Sequence, residues 1–481
     1  MFRRTKIVAT LGPACDRDNN LEKMVKAGVN VLRVNFSHGL ADEHIARVKQ
    51  VRALSKKHGV ALGILADLQG PKIRIECFKE GPVILTEGER FTLDANLDGN
   101  CGNSERVGIS YKSLIHDLKM GDTLLLDDGR IALWVECIEN NKVICRVVIG
   151  GKLSDRKGIN LQGGGLSAPA LTEKDHQDII TAAALQADYI AVSFVKTASD
   201  VHDARALLRK AGGQGGIVAK IERSEALENI EEIIAATDLI MVARGDLGVE
   251  IGDAALPPAQ KRLIRLAQKM NCVVITATQM MESMIENPVP TRAEVFDVAN
   301  AVIDGTDAVM LSAETATGKY PDKTISAMDR ICHEVEKQPQ VMTSNHRIDT
   351  EFTRIDEAIA MGAMYIANHL KVKAIVTLTQ YGATPLWMSR ISSGLPIFAL
   401  TPSNETYTKL TPYRGVYPIM FKVPERKRYG EVNCMMIELL KTHNIIHNGD
   451  LVILAKGDYQ QVKDGTNALK IVEVGKLADF E

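Results

Sequence analysis

Eight short runs rich in Val, Ile and Ala punctuate this 481-residue chain, at 6–10, 30–36, 61–68, 188–194, 216–222, 238–246, 272–279 and 307–314. Runs that are apolar throughout suit strands buried on both faces, and such strands occur in parallel sheets covered by helices. Segments of helical length separate most of them; 225–236 and 259–270 place apolar residues at helical spacing. Eight strand–helix units predict an α/β fold, a (β/α)8 TIM barrel.

One interval breaks the rhythm. More than a hundred residues separate the third run from the fourth, whereas the other steps need a few dozen. Inside it, 83–85, 90–93, 123–126, 132–138 and 143–148 alternate like half-buried strands, with Glu-Gly, Asp-Asp-Gly and Asn-Asn turns between them. This predicts an inserted β-barrel lid at 71–167. The barrel is then split into 1–70 and 168–345, together about 250 residues, the usual size of that fold. Past a polar, Pro-bearing stretch at 337–349 the pattern restarts, with a helix at 356–369, strands at 374–379, 396–401, 416–421, 451–455 and 469–474, and helices near 385–391 and 431–442. A C-terminal α/β regulatory domain at 346–481 is expected.

Charge excludes some partners. The 58 Lys and Arg nearly balance 60 Asp and Glu, for a net charge of -2. No broad positive field is available for a phosphodiester backbone or an anionic lipid surface, so neither nucleic acid nor membrane is an expected partner. No apolar run approaches the ~18–20 residues of a membrane-spanning helix. The run after Arg3, Arg4 and Lys6 is broken by Gly12 and Pro13 before a signal-peptide core forms, which points to the cytoplasm. Eight cysteines lie singly, without CxxC pairs or metal-ligand spacing, and read as reduced thiols.

The chemistry sits where the runs end. They close with Thr10; Arg33, Asn35 and Ser37; Asp67; Ser193; Lys220 and Glu222; Arg244 and Asp246; Thr278; and Ser312 and Glu314. In a parallel barrel these carboxyl ends meet at one mouth. Residues two apart on a strand share a side, so Lys220 with Glu222, Arg244 with Asp246, and Arg33 with Asn35 and Ser37 are expected to point together. An isolated pair of this kind is more often a solvated face or a structural ion pair; the recurrence on nearly every strand is what points to function. Glu222 and Asp246, with no Cys or His partners, suit a hard divalent cation such as Mg2+ or Mn2+. Lys220 beside them could stabilise charge on a transferring phosphoryl group or an enolate oxygen, Arg33 and Arg74 would hold phosphates, and the Gly-containing turn at 243–246 offers N–H groups to a carboxylate.

These segments closely resemble the pyruvate kinase family. The stretches that carry the resemblance are TKIVATLGPA (5–14), RVNFSHG (33–39), DLQGPKIR (67–74), AKIER (219–223), MVARGDLGVEI (241–251), ITATQMMESM (275–284), PTRAEVFDVANAV (290–302) and DGTDAVMLSAETATGKYP (304–321). The resemblance implies transfer of the phosphoryl group of phosphoenolpyruvate to ADP and protonation of the resulting enolate to pyruvate, the last step of glycolysis. By that similarity Lys220 stabilises the transferring group, Glu222 and Asp246 hold the metal, and Arg33 contacts phosphate. Gly245 and Asp246 receive the substrate carboxylate, Thr278 lies near the face to be protonated, and Ser312 and Glu314 belong to a proton-delivery network. Arg74, Lys157 and His38 would lie at the nucleotide. A homotetramer is also implied.

Two departures from the family pattern matter. Many members have Asp-Thr-Lys-Gly-Pro-Glu where this chain has Asp67-Leu68-Gln69-Gly70-Pro71-Lys72, and the Glu form is associated with a required K+ ion. Lys72 can supply that charge itself, so activity without K+ is expected even though Asn35, Ser37 and Asp67 match the monovalent-cation ligands. In the loop 377–384, Tyr381 and Ala383 replace the Ser and Arg of an effector-phosphate cradle, while Thr377, Thr379 and Thr384 remain. Loss of the arginine removes a charge-assisted bond, which leaves a sugar-phosphate or AMP effector open. A barrel lyase making a metal-bound enolate, or a catalytically silent scaffold, would use the same fold; the lyase gives no reason for Arg74, Lys157 and the lid, and the scaffold none for Lys220, Glu222, Asp246 and Thr278.

Overall fold

A computed structural model describes residues 2–343, 351–424, 429–457 and 465–476. The eight apolar runs form β1 (Lys6–Thr10), β2 (Val31–Asn35), β3 (Gly63–Asp67), β4 (Tyr189–Val192), β5 (Gly216–Ile221), β6 (Leu239–Ala243), β7 (Val273–Ala277) and β8 (Ala308–Leu311). All pair in parallel with their sequence neighbours, and β8 pairs with β1 to close the barrel. Alternation sorts each strand into two layers. Ile7, Ala9, Leu32, Ile64, Ile190 and Ile240 pack outward against helices, and Val8, Val31, Leu65, Ala191, Val218 and Met241 pack inside the barrel. Carrying the inward parity two residues further gives Thr10, Arg33, Asp67, Ser193 and Lys220, so the top of the barrel interior is polar by register.

Several predicted ends overshoot. The run at 238–246 stops as a strand at Ala243, because a helix begins at once (Arg244–Ile251). The run at 272–279 stops at Ala277, where Thr278 and Gln279 turn left-handed at φ 67° and 55°. The run at 307–314 stops at Leu311 and enters a short helix at Ala313–Ala316. Strand pairing, which one sequence does not display, sets these limits.

Between β3 and β4 the chain builds an antiparallel six-stranded sheet in the order Ile159–Leu161, Thr123–Leu126, Ile131–Glu139, Lys142–Ile149, Arg90–Asp94, Arg106–Gly108, whose last pair is parallel, plus a small sheet of Val83–Leu85 with Gly151–Leu153. It has its own apolar core, including Phe91, Leu124, Leu133 and Val143. The C-terminal segment is a five-stranded sheet ordered Val416–Met420, Ile397–Thr401, Ala374–Leu378, Leu451–Lys456, Ala468–Glu473, parallel but for the last strand. The expected boundary at 345/346 lies outside the described residues; just before it, Pro339–Met342 forms a helical turn with Val341 buried.

The C-terminal sheet docks under the amino ends of the barrel strands. Arg390 makes a bidentate pair with Asp307 at the start of β8, with both side chains 1% exposed. Around it Tyr189 Oη donates to Lys409 O (2.6 Å), Lys6 Nζ to Val416 O (2.6 Å), and Thr408 Oγ1 to Asp188. The chemical end of the barrel is therefore the other one. No helix among the described residues is long and apolar enough to cross a membrane.

Candidate functional site

At the carboxyl ends of the strands a cavity of about 190 Å³ is lined by Arg33, Asn35, Ser37, His38, Asp67, Lys72, Arg74, Ser193, Lys220, Glu222, Asp246 and Thr278, among others. Ten of the expected site residues thus share one space with Lys72, just past β3, and with Ser193, just past β4. Lys157 does not; its ammonium is tied to Asp127 within the inserted sheet (2.7 Å). Ser312 and Glu314 stand outside the lining. There Glu314 accepts from Ser312 N (2.6 Å) and Met281 N (3.3 Å), joining the end of β8 to the loop after β7, and burial raises its carboxyl pKa.

Lys220 is the centre of the charge arrangement. Its Nζ lies 2.8 Å from Glu222 Oε1, 2.7 Å from Ser193 Oγ and 3.4 Å from Asp67 Oδ1. Burial works against its charge, but Asp67 and Glu222 outweigh it and push the pKa up. Lys220 is thus a fixed positive charge near neutral pH, unsuited to shuttling protons. Asp67 is likewise desolvated, and Lys220 and Arg33 overcome that to lower its pKa; Arg33 Nε donates to Oδ2 at 2.6 Å. Glu222 goes the other way. Burial raises its pKa, Lys220 opposes, and the nearby charge of Asp246 adds to the rise. Two carboxylates that repel each other in a desolvated pocket favour a cation between them.

The donor set fits a hard divalent ion. Among the described residues no three His, Cys, Asp or Glu side chains cluster as a metal cage. With Asp67 held between Arg33 and Lys220, Glu222 and Asp246 are the mutually repelling pair that suits a metal, and Mg2+ takes one or two carboxylates and fills its remaining positions with water and phosphate oxygens.

The geometry corrects one expectation, the shared orientation of Arg244 and Asp246, and gives Gly245 and Lys72 partners of their own. Arg244 does not point with Asp246. Helical twist from residue 244 separates them, and Arg244 is buried behind the site, paired with Asp297 (2.6 and 2.8 Å) and donating to Thr278 O at 2.6 Å. The Gly245 N–H, expected to be open to a carboxylate, donates to Thr278 Oγ1 (2.8 Å). The ammonium of Lys72, expected to replace a monovalent ion beside Asn35, Ser37 and Asp67, lies on Asp246 Oδ1 at 3.2 Å; Asn35 Oδ1 accepts from Ser37 N (3.1 Å) instead.

These contacts bring out two residues to which the sequence reading gave no role, Arg244 and Ser193, and both act around residues it did name. Thr278 is a β-branched residue at positive φ, a strained conformation that persists where surroundings over-determine it. Arg244 grips its carbonyl, Gly245 its hydroxyl oxygen, and the hydroxyl proton goes to Ala277 O (2.7 Å). Ser193, in turn, accepts from Lys220 and donates to Leu68 O (2.8 Å). The inward parity of Ser193 was a signal for it; nothing in one sequence signals the role of Arg244.

Comparison with known proteins agrees with this architecture. The family description "Pyruvate kinase, barrel domain" matches residues 2–325, and "Pyruvate kinase, alpha/beta domain" matches 357–472. The chain is 55% identical over 477 residues to a pyruvate kinase of Buchnera aphidicola (98% of this chain, 99% of the relative). It is 55% identical over 478 residues to pyruvate kinase II of Salmonella typhimurium (98% and 99%). With a pyruvate kinase of Mycobacterium tuberculosis it shares 41% over 481 residues (99% of each).

Proposed function

The chain belongs to the pyruvate kinase family, and from that premise we propose that its barrel-mouth cavity carries the family's reaction, phosphoryl transfer from phosphoenolpyruvate to ADP giving ATP and pyruvate. The observation that carries this reading is the meeting of Lys220, Arg33, Glu222 and Asp246 in one cavity. A transferring phosphoryl group needs positive charge held still around it, since positioning and electrostatic stabilisation supply most of the catalysis. Lys220, held by three acceptors, is preorganised for that task. Arg33 holds substrate phosphate, its Nε and Nη1 fixed by Asp67 and Thr10.

Glu222 and Asp246 hold Mg2+ or Mn2+, which when bound neutralises phosphate and enolate oxygens. Gly245 and Asp246, at the start of a helix, lie where the substrate carboxylate is received, so Gly245 must trade its bond to Thr278 for one to substrate. Thr278 stands at the face of the enolate to be protonated. Arg74, His38 and, from the lid, Lys157 serve ADP; Lys157 reaches it by leaving Asp127 as the lid swings. Excluding water from the mouth matters because water competes for the phosphoryl group.

Lys72 makes K+ dispensable. Its charge lies inside the cavity, and Asp67, the carboxylate of the monovalent-cation set, is already neutralised by Arg33 and Lys220. One assay addresses both claims. Pyruvate is expected to form from phosphoenolpyruvate only when ADP is present, and the rate to persist when tetramethylammonium replaces K+. Pyruvate formed without ADP would indicate a lyase, no pyruvate a scaffold, and collapse without K+ would reject the role of Lys72.

The family also suggests a cytoplasmic homotetramer, assembled through barrel and C-terminal faces. An effector phosphate, of AMP or a sugar, is assigned to the loop 377–384, where Thr377 Oγ1 is buried with no hydrogen-bond partner among the described residues and Thr384 Oγ1 meets Thr466 Oγ1 (2.6 Å). Activation by AMP or a sugar phosphate is expected in the wild type and lost in Thr384→Ala; a variant still fully activated would place the effector elsewhere.

A further inference from the structure

Three carboxylates face the cavity, and two are neutralised from within the barrel, Asp67 by Arg33 and Lys220, and Glu222 by Lys220. The cation of Asp246 comes from outside it. Lys72 lies just past Gly70, where the chain leaves β3 for the inserted sheet, and its ammonium reaches Asp246 Oδ1 at the start of the helix Arg244–Ile251. The contact joins the segment leading into the inserted sheet to a residue the proposed function assigns to the divalent ion.

We propose that Lys72 is a tethered cation that competes with the divalent metal for Asp246 and passes to a substrate phosphate when the metal binds. The inference rests on the reading of Asp246 as a metal ligand. A divalent ion on either oxygen of Asp246 faces the Lys72 ammonium as a like charge at short range, so metal binding weakens the Lys72 contact and favours its release. Release is feasible because the pair is partly exposed, 28% and 22%, and such pairs are weak. Once free, the ammonium stays in a cavity with Arg33, Arg74 and Lys220, where the counter-charge it can find is an incoming phosphate. Lys72 thereby lowers metal affinity in the ligand-free protein, and a phosphorylated substrate, by drawing Lys72 away, restores it. Metal and substrate help each other bind, to equal extents.

The test is Mn2+ titration of the full-length, ligand-free protein in K+-free buffer, with unbound Mn2+ read by electron paramagnetic resonance. Lys72→Met is expected to tighten Mn2+ binding by about 3- to 10-fold, the worth of a partly exposed ion pair plus the repulsion removed, while Lys72→Arg stays within about twofold of wild type by that same accounting. Adding phosphoenolpyruvate should tighten Mn2+ binding less in Lys72→Met than in wild type. Mn2+ affinity unchanged or weakened in Lys72→Met overturns the inference. Asp246→Asn separates the two levels: loss of Mn2+ binding there, with Lys72→Met unchanged, sinks the lysine exchange alone, whereas Mn2+ binding that survives Asp246→Asn sinks the metal site and the exchange with it.

Discussion

Replacing Lys220 by Met is expected to lower kcat for pyruvate formation by about 10³-fold, the scale for removing a preorganised charge from a transition state. The KM for phosphoenolpyruvate should move far less, because Arg33 and the metal ligands still bind its ground state. The argument rests on the position of Lys220, whose Nζ is held by Glu222, Ser193 and Asp67 at the centre of the cavity. Asp67 and Glu222 more than offset its burial, so its role is charge stabilisation, and no pH in the working range should recover the variant. The substitution also leaves Asp67 with Arg33 alone and Glu222 with the N–H of Phe194 (2.7 Å), so the melting temperature of the variant needs recording beside its rate. A variant that stays folded and keeps more than about a tenth of wild-type kcat, one pKa-unit's worth of free energy, would show that Lys220 does not face the transferring group.

The second large effect is on stability. Arg390→Met should destabilise the docking of the C-terminal domain on the barrel by about 3–5 kcal/mol, the cost of leaving one member of a buried pair uncompensated. Asp307 would keep the N–H of Val274 (2.9 Å) and of Arg414 (3.2 Å) but no counter-charge. Cys272 O would also lose the donor it has at 2.7 Å. Urea unfolding followed at Trp387, on the C-terminal side, and by far-UV circular dichroism over the whole chain should separate into two transitions in the variant. A change below about 1 kcal/mol, the level of an exposed pair, would mean that apolar packing under the barrel carries the docking.

Much of the architecture was legible because burial leaves a simple trace. Strands covered on both faces must be apolar throughout, and all eight appeared as such runs. The inserted sheet was legible from alternation in its longer strands and, at Val83–Leu85, from the Glu-Gly turns beside it, but Arg106–Gly108, Gly151–Leu153 and Ile159–Leu161 span three residues each, too short for a period to register. At the site, inward parity was enough to collect Arg33, Asp67, Ser193 and Lys220. It failed at residue 244, where the strand had ended and the two-residue rule no longer applied. Which acceptor a long side chain selects is also invisible in a sequence. Lys72 bridges 174 positions to Asp246, and Lys157 turns to Asp127.

The two crossings between barrel and inserted sheet are each pinned by backbone hydrogen bonds. On the way out, Gly70 at φ 66° donates to Asp175 Oδ1 (3.0 Å). On the way back, three successive glycines at positive φ are held as Gly163 N donates to Glu250 O (3.0 Å) and Gly165 N to Glu225 Oε1 (2.7 Å). A Cβ on Gly164 would lie 2.1 Å from Ser224 Oγ, and its positive φ also favours glycine, so this position resists any side chain. A body fastened to another at two places keeps a single freedom, rotation about the line through the fasteners, as a door does on its pins. A cap held at these two places is expected to answer a ligand in the cavity by turning about that axis, a change that small-angle scattering with and without nucleotide and metal would register.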